Sequence, residues 1–321
     1  MPPNPTNDPV PSSLSEAIVE ALAYSDVFDY PLTVEQIHRY LVRVPATSAQ
    51  VEATLTDNPW LAERIERHGD LFSLRGRPTA VALRRERAAY AEMLWRPARL
   101  LAELVAHLPF VRMVAIIGSL TMDNVRSPKD DVDMFVVTEP GRVWLTRTLI
   151  IFLVRLAALF RLELCPNYIL SSRRLAMPPD DIFTARELTQ MIPLYGRHTF
   201  ADLLSANCWL ENYLPNAVLR DERLRDLGPV DRIVQRLAEW PLSGRLGDHL
   251  ECVMQNRKVA DLRRQAATAD NREVVLDAEM CKGHMGGHAG KIRAEYARRR
   301  SKFLAPDAGD GYEPAAARTQ P

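Results

Sequence analysis

Apolar residues recur at helical spacing three times near the start of the chain and then alternate with polar ones. The helical segments are Leu14–Ser25, Val34–Leu41 and a stretch from Thr47 or Ser48 through Leu55. Thr33, Thr47 and Ser48 belong to the residue types that cap helices with a side-chain oxygen. Two alternating segments follow, Leu61–Arg67 and Leu71–Arg75, joined by a Gly-containing connection. This order predicts three helices followed by a β-hairpin.

Further changes of pattern divide the rest of the chain. Residues 78–108 are predicted to form connecting helices, interrupted near Pro97. Residues 109–175 alternate strand, helix, strand, long helix and strand, which is typical of an α/β unit. Residues 176–304 favour helices almost throughout, with prolines at the boundaries. The predicted fold class is therefore α+β with a helical C-terminal region.

Residues 14–77 resemble a winged helix domain, because three helices precede a hairpin. The two ends of the chain lack any periodicity. Residues 1–13 contain five prolines, and residues 305–321 contain few large apolar side chains. We expect both ends to be disordered tails.

Composition narrows the class of protein. The chain has 321 residues, of which 47% are apolar, enough for buried cores. Its 41 basic residues balance 41 acidic ones, so no overall charge attracts nucleic acid or an anionic membrane. The most apolar run, Leu149–Phe160, is shorter than the roughly 20 residues of a membrane span, and we expect a buried helix there. Four scattered cysteines and the lack of a cationic apolar leader favour a cytoplasmic protein.

Candidate chemistry is concentrated in residues 116–137, IIGSLTMDNVRSPKDDVDMFVV. Asp131 and Asp133 begin a predicted strand, where alternate residues point to the same side. Their like charges repel, and Mg²⁺ (or Mn²⁺) between them would relieve the repulsion. Gly118 lets a phosphate approach the backbone, and Ser119 is predicted to cap the next helix and complete an anion site. A predicted metal site beside a predicted phosphate site indicates a binding site for a nucleoside triphosphate (NTP).

The same residues resemble a known family. Gly118-Ser119, an eleven-residue gap and then Asp131-Val132-Asp133 are similar to the signature of the DNA polymerase beta-like nucleotidyltransferase superfamily. The wider sequence resembles a bacterial group that carries this domain behind a winged helix domain. The resemblance implies a nucleotidyltransferase core over residues 109–175. It also implies a third carboxylate on a later strand, for which Glu163 is the best placed residue, although an ordinary surface role suits Glu163 somewhat better.

Three cations are close to the motif in sequence: Lys129, Arg142 and Arg147. Cations at these positions would neutralise the phosphates of the NTP and of the leaving pyrophosphate. Arg142 and Arg147 suit an ordinary helix surface equally well. A simpler interpretation of the whole segment is a capped helix followed by a solvated acidic turn, but it does not explain the spacing of the two halves.

The predicted third helix of the winged helix, SAQVEATLTDN, bears on nucleic-acid binding. It presents acidic Glu52 and Asp57, and no Lys or Arg occurs between Arg43 and Arg64. A helix that reads DNA normally needs cations for phosphates and guanine edges. We therefore expect no specific DNA binding and favour a packing or partner-recognition role.

These patterns predict an Mg²⁺-dependent nucleotidyltransferase that moves a nucleoside monophosphate from an NTP to an acceptor hydroxyl. The acceptor is a protein, an RNA end or a small molecule, and the sequence does not choose among them. The alternative is a non-catalytic regulator or adaptor that binds a nucleotide and engages a partner through the winged helix.

Overall fold

The computed structural model describes residues 11–159, 164–177, 181–219, 223–266, 275–282 and 288–304. The fold is α+β with a mixed sheet, as the sequence predicts. The helices are α1 (Leu14–Asp26), α2 (Val34–Arg39), α3 (Ser48–Asp57), α4 (Pro59–Arg64), α5 (Ala80–Ala106), α6 (Val143–Leu159), α7 (Ile182–Gln190), α8 (Arg197–Ala206), α9 (Trp209–Tyr213), α10 (Pro229–Glu239), α11 (Arg245–Ala266) and α12 (His288–Leu304). The strands are β1 (Ile65–His68), β2 (Leu71–Leu74), β3 (Val111–Ile116), β4 (Val132–Thr138), β5 (Leu164–Ser171), β6 (Ile192–Tyr195), β7 (Val275–Leu276) and β8 (Met280–Lys282).

A six-stranded sheet in the order β6-β3-β4-β5-β8-β7 forms the centre of the molecule. β4 and β5 are parallel and are connected through α6, whereas the other neighbouring strands are antiparallel. Parallel neighbours begin at the same edge of a sheet, so the start of β4 lies beside the start of β5. This pairing places Asp133 opposite Cys165.

The two faces of the sheet bury different cores. On β4, Val132, Met134 and Val136 pack with residues of α5 and α6. Phe135 and Val137 face the opposite side, where residues of α1, α7 and α12 complete the core. Alternation along the strand puts Asp133 on this second face.

The N-terminal helices and the β1–β2 hairpin follow the predicted order, with the short helix α4 in addition. Thr33 and Thr47 accept hydrogen bonds from the backbone N–H groups of Gln36 and Gln50, and both sites are capping boxes. The winged helix assignment itself stays a prediction. This segment is not packed as a separate body, because its buried residues share one continuous core with the sheet.

Helix α12 packs against α1, although the two are far apart in sequence. Arg299 Nε donates to Asp26 Oδ2 at 2.7 Å, and Arg300 Nε donates to Glu20 Oε1 at 2.6 Å. Glu20 and Asp26 are both buried, so each needs such a partner. Pairing with α12 therefore ties the N-terminal helix to the end of the described chain.

Several predicted boundaries differ from the structure. Ser13, predicted to lie in the tail, caps α1 by accepting a hydrogen bond from Glu16 N–H. Helix α5 continues through Pro97 without the predicted interruption. β6, β7 and β8 lie within residues 176–304, which were predicted as helical, so the sheet extends beyond residue 175. These strands are two to four residues long, too short for a readable alternation.

Helix α6 packs on the sheet through Trp144 and Ile150, as predicted for a buried helix, but Phe152 is 61% exposed. Among the described helices, none is long and apolar enough to cross a membrane. Residues 305–321 and Met1–Val10 of the predicted tails lie outside the described residues.

Candidate functional site

Asp131 and Asp133 lie at the start of β4 beside polar residues of β5. The Asn167 amide donates to Asp133 Oδ1 at 2.6 Å, and the Cys165 thiol donates to Asn167 Oδ1 at 3.3 Å. One ligand atom from each of Asp131, Asp133 and Cys165 lies within 4.8 Å of the others. The register of two parallel strands therefore assembles two carboxylates, a thiol and an amide at one edge of the sheet.

The electrostatics of this group favour a cation. Burial raises the pKa of Asp133 to about 8, and repulsion from Asp131 and Glu187 adds to the effect. Burial also raises the pKa of the Cys165 thiol to about 12, with further contributions from Asp133 and Asp131. A divalent cation between the carboxylates would remove their repulsion, so the set fits a hard cation with oxygen ligands. The thiol adds a softer donor at the same place.

Gly118 brings the end of β3 against this pair. Its φ is +75°, and a Cβ atom at this position would lie 2.4 Å from Asp133 Oδ2. The neighbouring Ile117 N–H donates to the Asp133 carbonyl oxygen at 3.0 Å. Glycine is needed here for a left-handed backbone and for the close approach of a carboxylate.

Ser119 does not cap an α-helix, which corrects the sequence prediction. The segment Gly118–Met122 is a single 3₁₀ turn without a side-chain cap, and Ser119 lies inside it. The left-handed Asp123 ends the turn at once. An anion site built on a helix N-terminus is therefore absent from this part of the described chain.

A cleft of about 350 Å³ opens in front of the acidic pair. Its walls come from the β3 and β4 ends and from helices that are distant in sequence: α1, α7 and α12. The lining residues are Tyr24, Ser25, Phe28, Tyr30, Ile117, Gly118, Ser119, Met122, Asn124, Arg126, Asp130, Asp131, Asp133, Asn167, Phe183, Arg186, Glu187, Gln190 and Ile292. This volume lies in the usual range for a small-molecule site, roughly 300–1,000 Å³. The cleft joins acidic, aromatic and cationic side chains.

The predicted cations are not the ones that line the cleft. Arg142 lies beyond the opposite end of β4, separated from Asp133 by more than about 17 Å of strand. It pairs there with Asp248 at 2.8 Å. Arg147 lies on α6 beside Cys281 of β8, and Lys129 is exposed on the loop before β4. β4 carries the chain away from the pair before α6 begins, so closeness in sequence does not bring Arg142 and Arg147 to the pair.

Two other cations, Arg126 and Arg186, line the cleft instead, and Glu187 adds a carboxylate. Arg186 is buried within α7, and Glu187 accepts a hydrogen bond from the Tyr168 hydroxyl at 2.7 Å. Sequence reasoning missed both α7 residues, because they follow the motif by some fifty positions in an ordinary helical pattern. No local signal distinguishes them.

Glu163, the predicted third carboxylate, lies outside the described residues. Within described β5, the residues beside the pair are Cys165 and Asn167. Strand β5 continues through Pro166, with a register shift relative to β4.

Comparisons of the chain with models of protein families, with curated proteins and with solved structures gave no match.

Proposed function

We propose that the chain is a metal-dependent nucleotidyltransferase that moves a nucleoside monophosphate from an NTP to an acceptor hydroxyl. The observation that carries the proposal is the convergence of Gly118, Asp131 and Asp133 on one cleft. An exposed and a half-buried carboxylate, facing a backbone that tolerates no Cβ, suit a bound metal and a phosphate. A bound Mg²⁺ or Mn²⁺ would neutralise charge that develops on the phosphate oxygens.

Each residue then has a definite task. Asp131 and Asp133 would hold the metal, with Asn167 fixing the orientation of Asp133 through its 2.6 Å hydrogen bond. The turn at Gly118 and Ser119 would leave room for phosphate oxygens. Glu187, the further carboxylate in the cleft, would accept the proton of the attacking hydroxyl.

The aromatic wall of the cleft suits the nucleoside. Tyr24, Phe28, Tyr30 and Phe183 line it, and a flat base gains from stacking on such rings. Stacking alone does not select one base, because every base has a π-face.

The first test is a pair of calorimetric titrations. Asp131→Asn combined with Asp133→Asn is expected to abolish Mg²⁺-dependent NTP binding while the fold is retained, since the change deletes both ligands and their repulsion. Asp130→Asn is the matched control: Asp130 lines the same cleft but lies outside the metal-ligand group, and it accepts a hydrogen bond from Arg126 N–H, which Asn also can. Equal affinity in the double variant and the wild type would refute the metal assignment.

A non-catalytic nucleotide-binding regulator is the second candidate. It is favoured by β5, whose described residues beside the pair are an amide and a thiol rather than a carboxylate. Incubation with each labelled NTP, Mg²⁺ or Mn²⁺ and a cell extract separates the two. Label on a macromolecule or metabolite, lost in the double variant and in Glu187→Gln, supports the enzyme; NTP binding without transfer supports the regulator.

A further inference from the structure

Arg186 is buried in the wall of the cleft without a counter-charge. Its side chain is 2% exposed and lines the cleft together with Ser25. Nη2 donates to Ser25 Oγ at 2.6 Å, whereas Nε and Nη1 have no hydrogen-bond partner. Within the described residues, no carboxylate oxygen forms a salt bridge with it. The guanidinium lies 3.5 Å from the centre of the Tyr40 ring and 4.7 Å from that of Tyr24.

An arrangement of this kind is unfavourable for the ligand-free protein. A buried charge loses its hydration, and unpaired N–H groups lose their hydrogen bonds to water. The two tyrosine rings compensate in part through cation–π contacts. Burial lowers the pKa of Arg186, yet arginine stays protonated in proteins. The missing partner is therefore an anion.

Arg142 is a buried arginine with a structural role, and its partners can be compared with those of Arg186. It is also buried and also stacks on an aromatic ring, that of Phe110, but it pairs with Asp248 at 2.8 Å. Arg142 Nε also has no hydrogen-bond partner, but Arg186 differs in lining a cleft and in having no salt bridge to a carboxylate among the described residues. The contrast indicates a binding role for Arg186.

We propose that Arg186 is the anion-binding residue of the cleft and that its ligand places a phosphate group against Arg186 and Ser25. A guanidinium presents several N–H donors in one plane, which matches phosphate oxygens. The identification of this phosphate as part of a nucleotide rests on the proposed function. Phosphate binding at Arg186 does not.

The test uses the full chain in EDTA, with inorganic tripolyphosphate and pyrophosphate as probes and citrate as the carboxylate control. Tripolyphosphate is expected to raise the melting temperature of the wild type. Arg186→Met, whose flexible thioether still packs on the two rings, is expected to weaken tripolyphosphate binding at least tenfold. Arg186→Lys keeps a cation, and its affinity for tripolyphosphate should lie between those of the wild type and Arg186→Met. In Arg142→Met, binding should be unchanged.

Stability without ligand gives a second readout. Replacing a buried charge that has no counter-charge should leave the melting temperature of Arg186→Met equal to or above that of the wild type. Arg142→Met should melt lower, because it removes the hydrogen bonds that Arg142 donates to the carbonyl oxygens of Gly141 and Ser243. A marked fall for Arg186→Met with no response of the wild type to tripolyphosphate would overturn the proposal. A response to citrate but not to tripolyphosphate would overturn the phosphate assignment.

Failure of this inference is distinguishable from failure of the proposed function. In EDTA the double variant Asp131→Asn, Asp133→Asn should still bind tripolyphosphate through Arg186. Metal-dependent NTP binding that is indifferent to Arg186→Met would refute the anion site alone. Tripolyphosphate binding that needs Arg186, in a protein that binds no metal–NTP complex, would refute the nucleotidyltransferase alone.

Discussion

Gly118 and Asp133 are in such close contact that a single added methyl group at Gly118 would lie 2.4 Å from the Asp133 Oδ2 atom. Gly141 also has a positive φ, of +69°, but nothing lies within 4 Å of its added Cβ. The two glycines therefore separate the effect of backbone strain from the effect of contact with the carboxylate.

We predict that Gly118→Ala destabilises the protein more than Gly141→Ala, whose cost should be about 1 kcal/mol of backbone strain. Gly118→Ala alone should also abolish metal-dependent NTP binding, because Asp133 must move. Urea unfolding and calorimetric titration of both variants measure this. Equal losses of stability, with binding retained in both, would contradict it.

The raised pKa of Asp133 gives a pH dependence with a definite sign. The ordinary pKa of this group is 3.8, and the folded value is about 8. Between these values the folded state holds a proton that the unfolded state has lost, so this group's contribution to stability falls as pH rises and levels off above about 8. In EDTA, the unfolding free energy of the wild type minus that of Asp133→Asn should therefore fall between about pH 4 and pH 8 and stay constant above pH 8. A difference that does not change between pH 4 and 8 would show that Asp133 has an ordinary pKa.

Asn167→Asp should lower the stability of the metal-free protein and raise its affinity for a metal ion. The change removes the amide donor to Asp133 and adds a third carboxylate, so the metal-free protein should lose about 1–3 kcal/mol of stability near pH 8. A third oxygen ligand should tighten Mn²⁺ binding. Asn124→Asp, at another residue lining the cleft, is the control and should leave Mn²⁺ affinity unchanged. Weaker Mn²⁺ binding by Asn167→Asp would place the metal away from β5.

We predict that the full-length protein selects no defined motif from random DNA duplexes at about 0.15 M salt. Glu52 and Asp57 are exposed on α3, where they would repel phosphates. The arginines near the hairpin are already engaged: Arg77 pairs with Asp26 and Asp29, and Arg75 donates to the carbonyl oxygens of Glu63 and Ala62. Enrichment of a motif with submicromolar affinity would instead favour the regulator.

The sequence predicted that Gly118, Asp131 and Asp133 lie together, because the relevant information is local. A glycine at one strand end, two aspartates at the next strand start and their alternation place these groups together whenever the strands are neighbours. The partners of the pair depend on tertiary structure. Asn167 reaches Asp133 only through the β4–β5 register, and Arg186 and Glu187 only through the packing of α7 on the sheet. Arg142 is close to the pair in sequence only, because β4 carries the chain away from it before α6 begins.

The pairing of α12 with α1 has a consequence for the order of folding. The ion pairs Arg299–Asp26 and Arg300–Glu20 join residues 273 and 280 positions apart. Ile292 of α12 also lines the cleft. Contacts of such long range are slow to form, because a large loop must close first. During synthesis, Glu20 and Asp26 of α1 therefore lack the partners that α12 supplies until α12 has left the ribosome. A chain interrupted before α12 would have an incomplete cleft and a destabilised N-terminal helix, which marks it for removal by proteases before it can bind ligand.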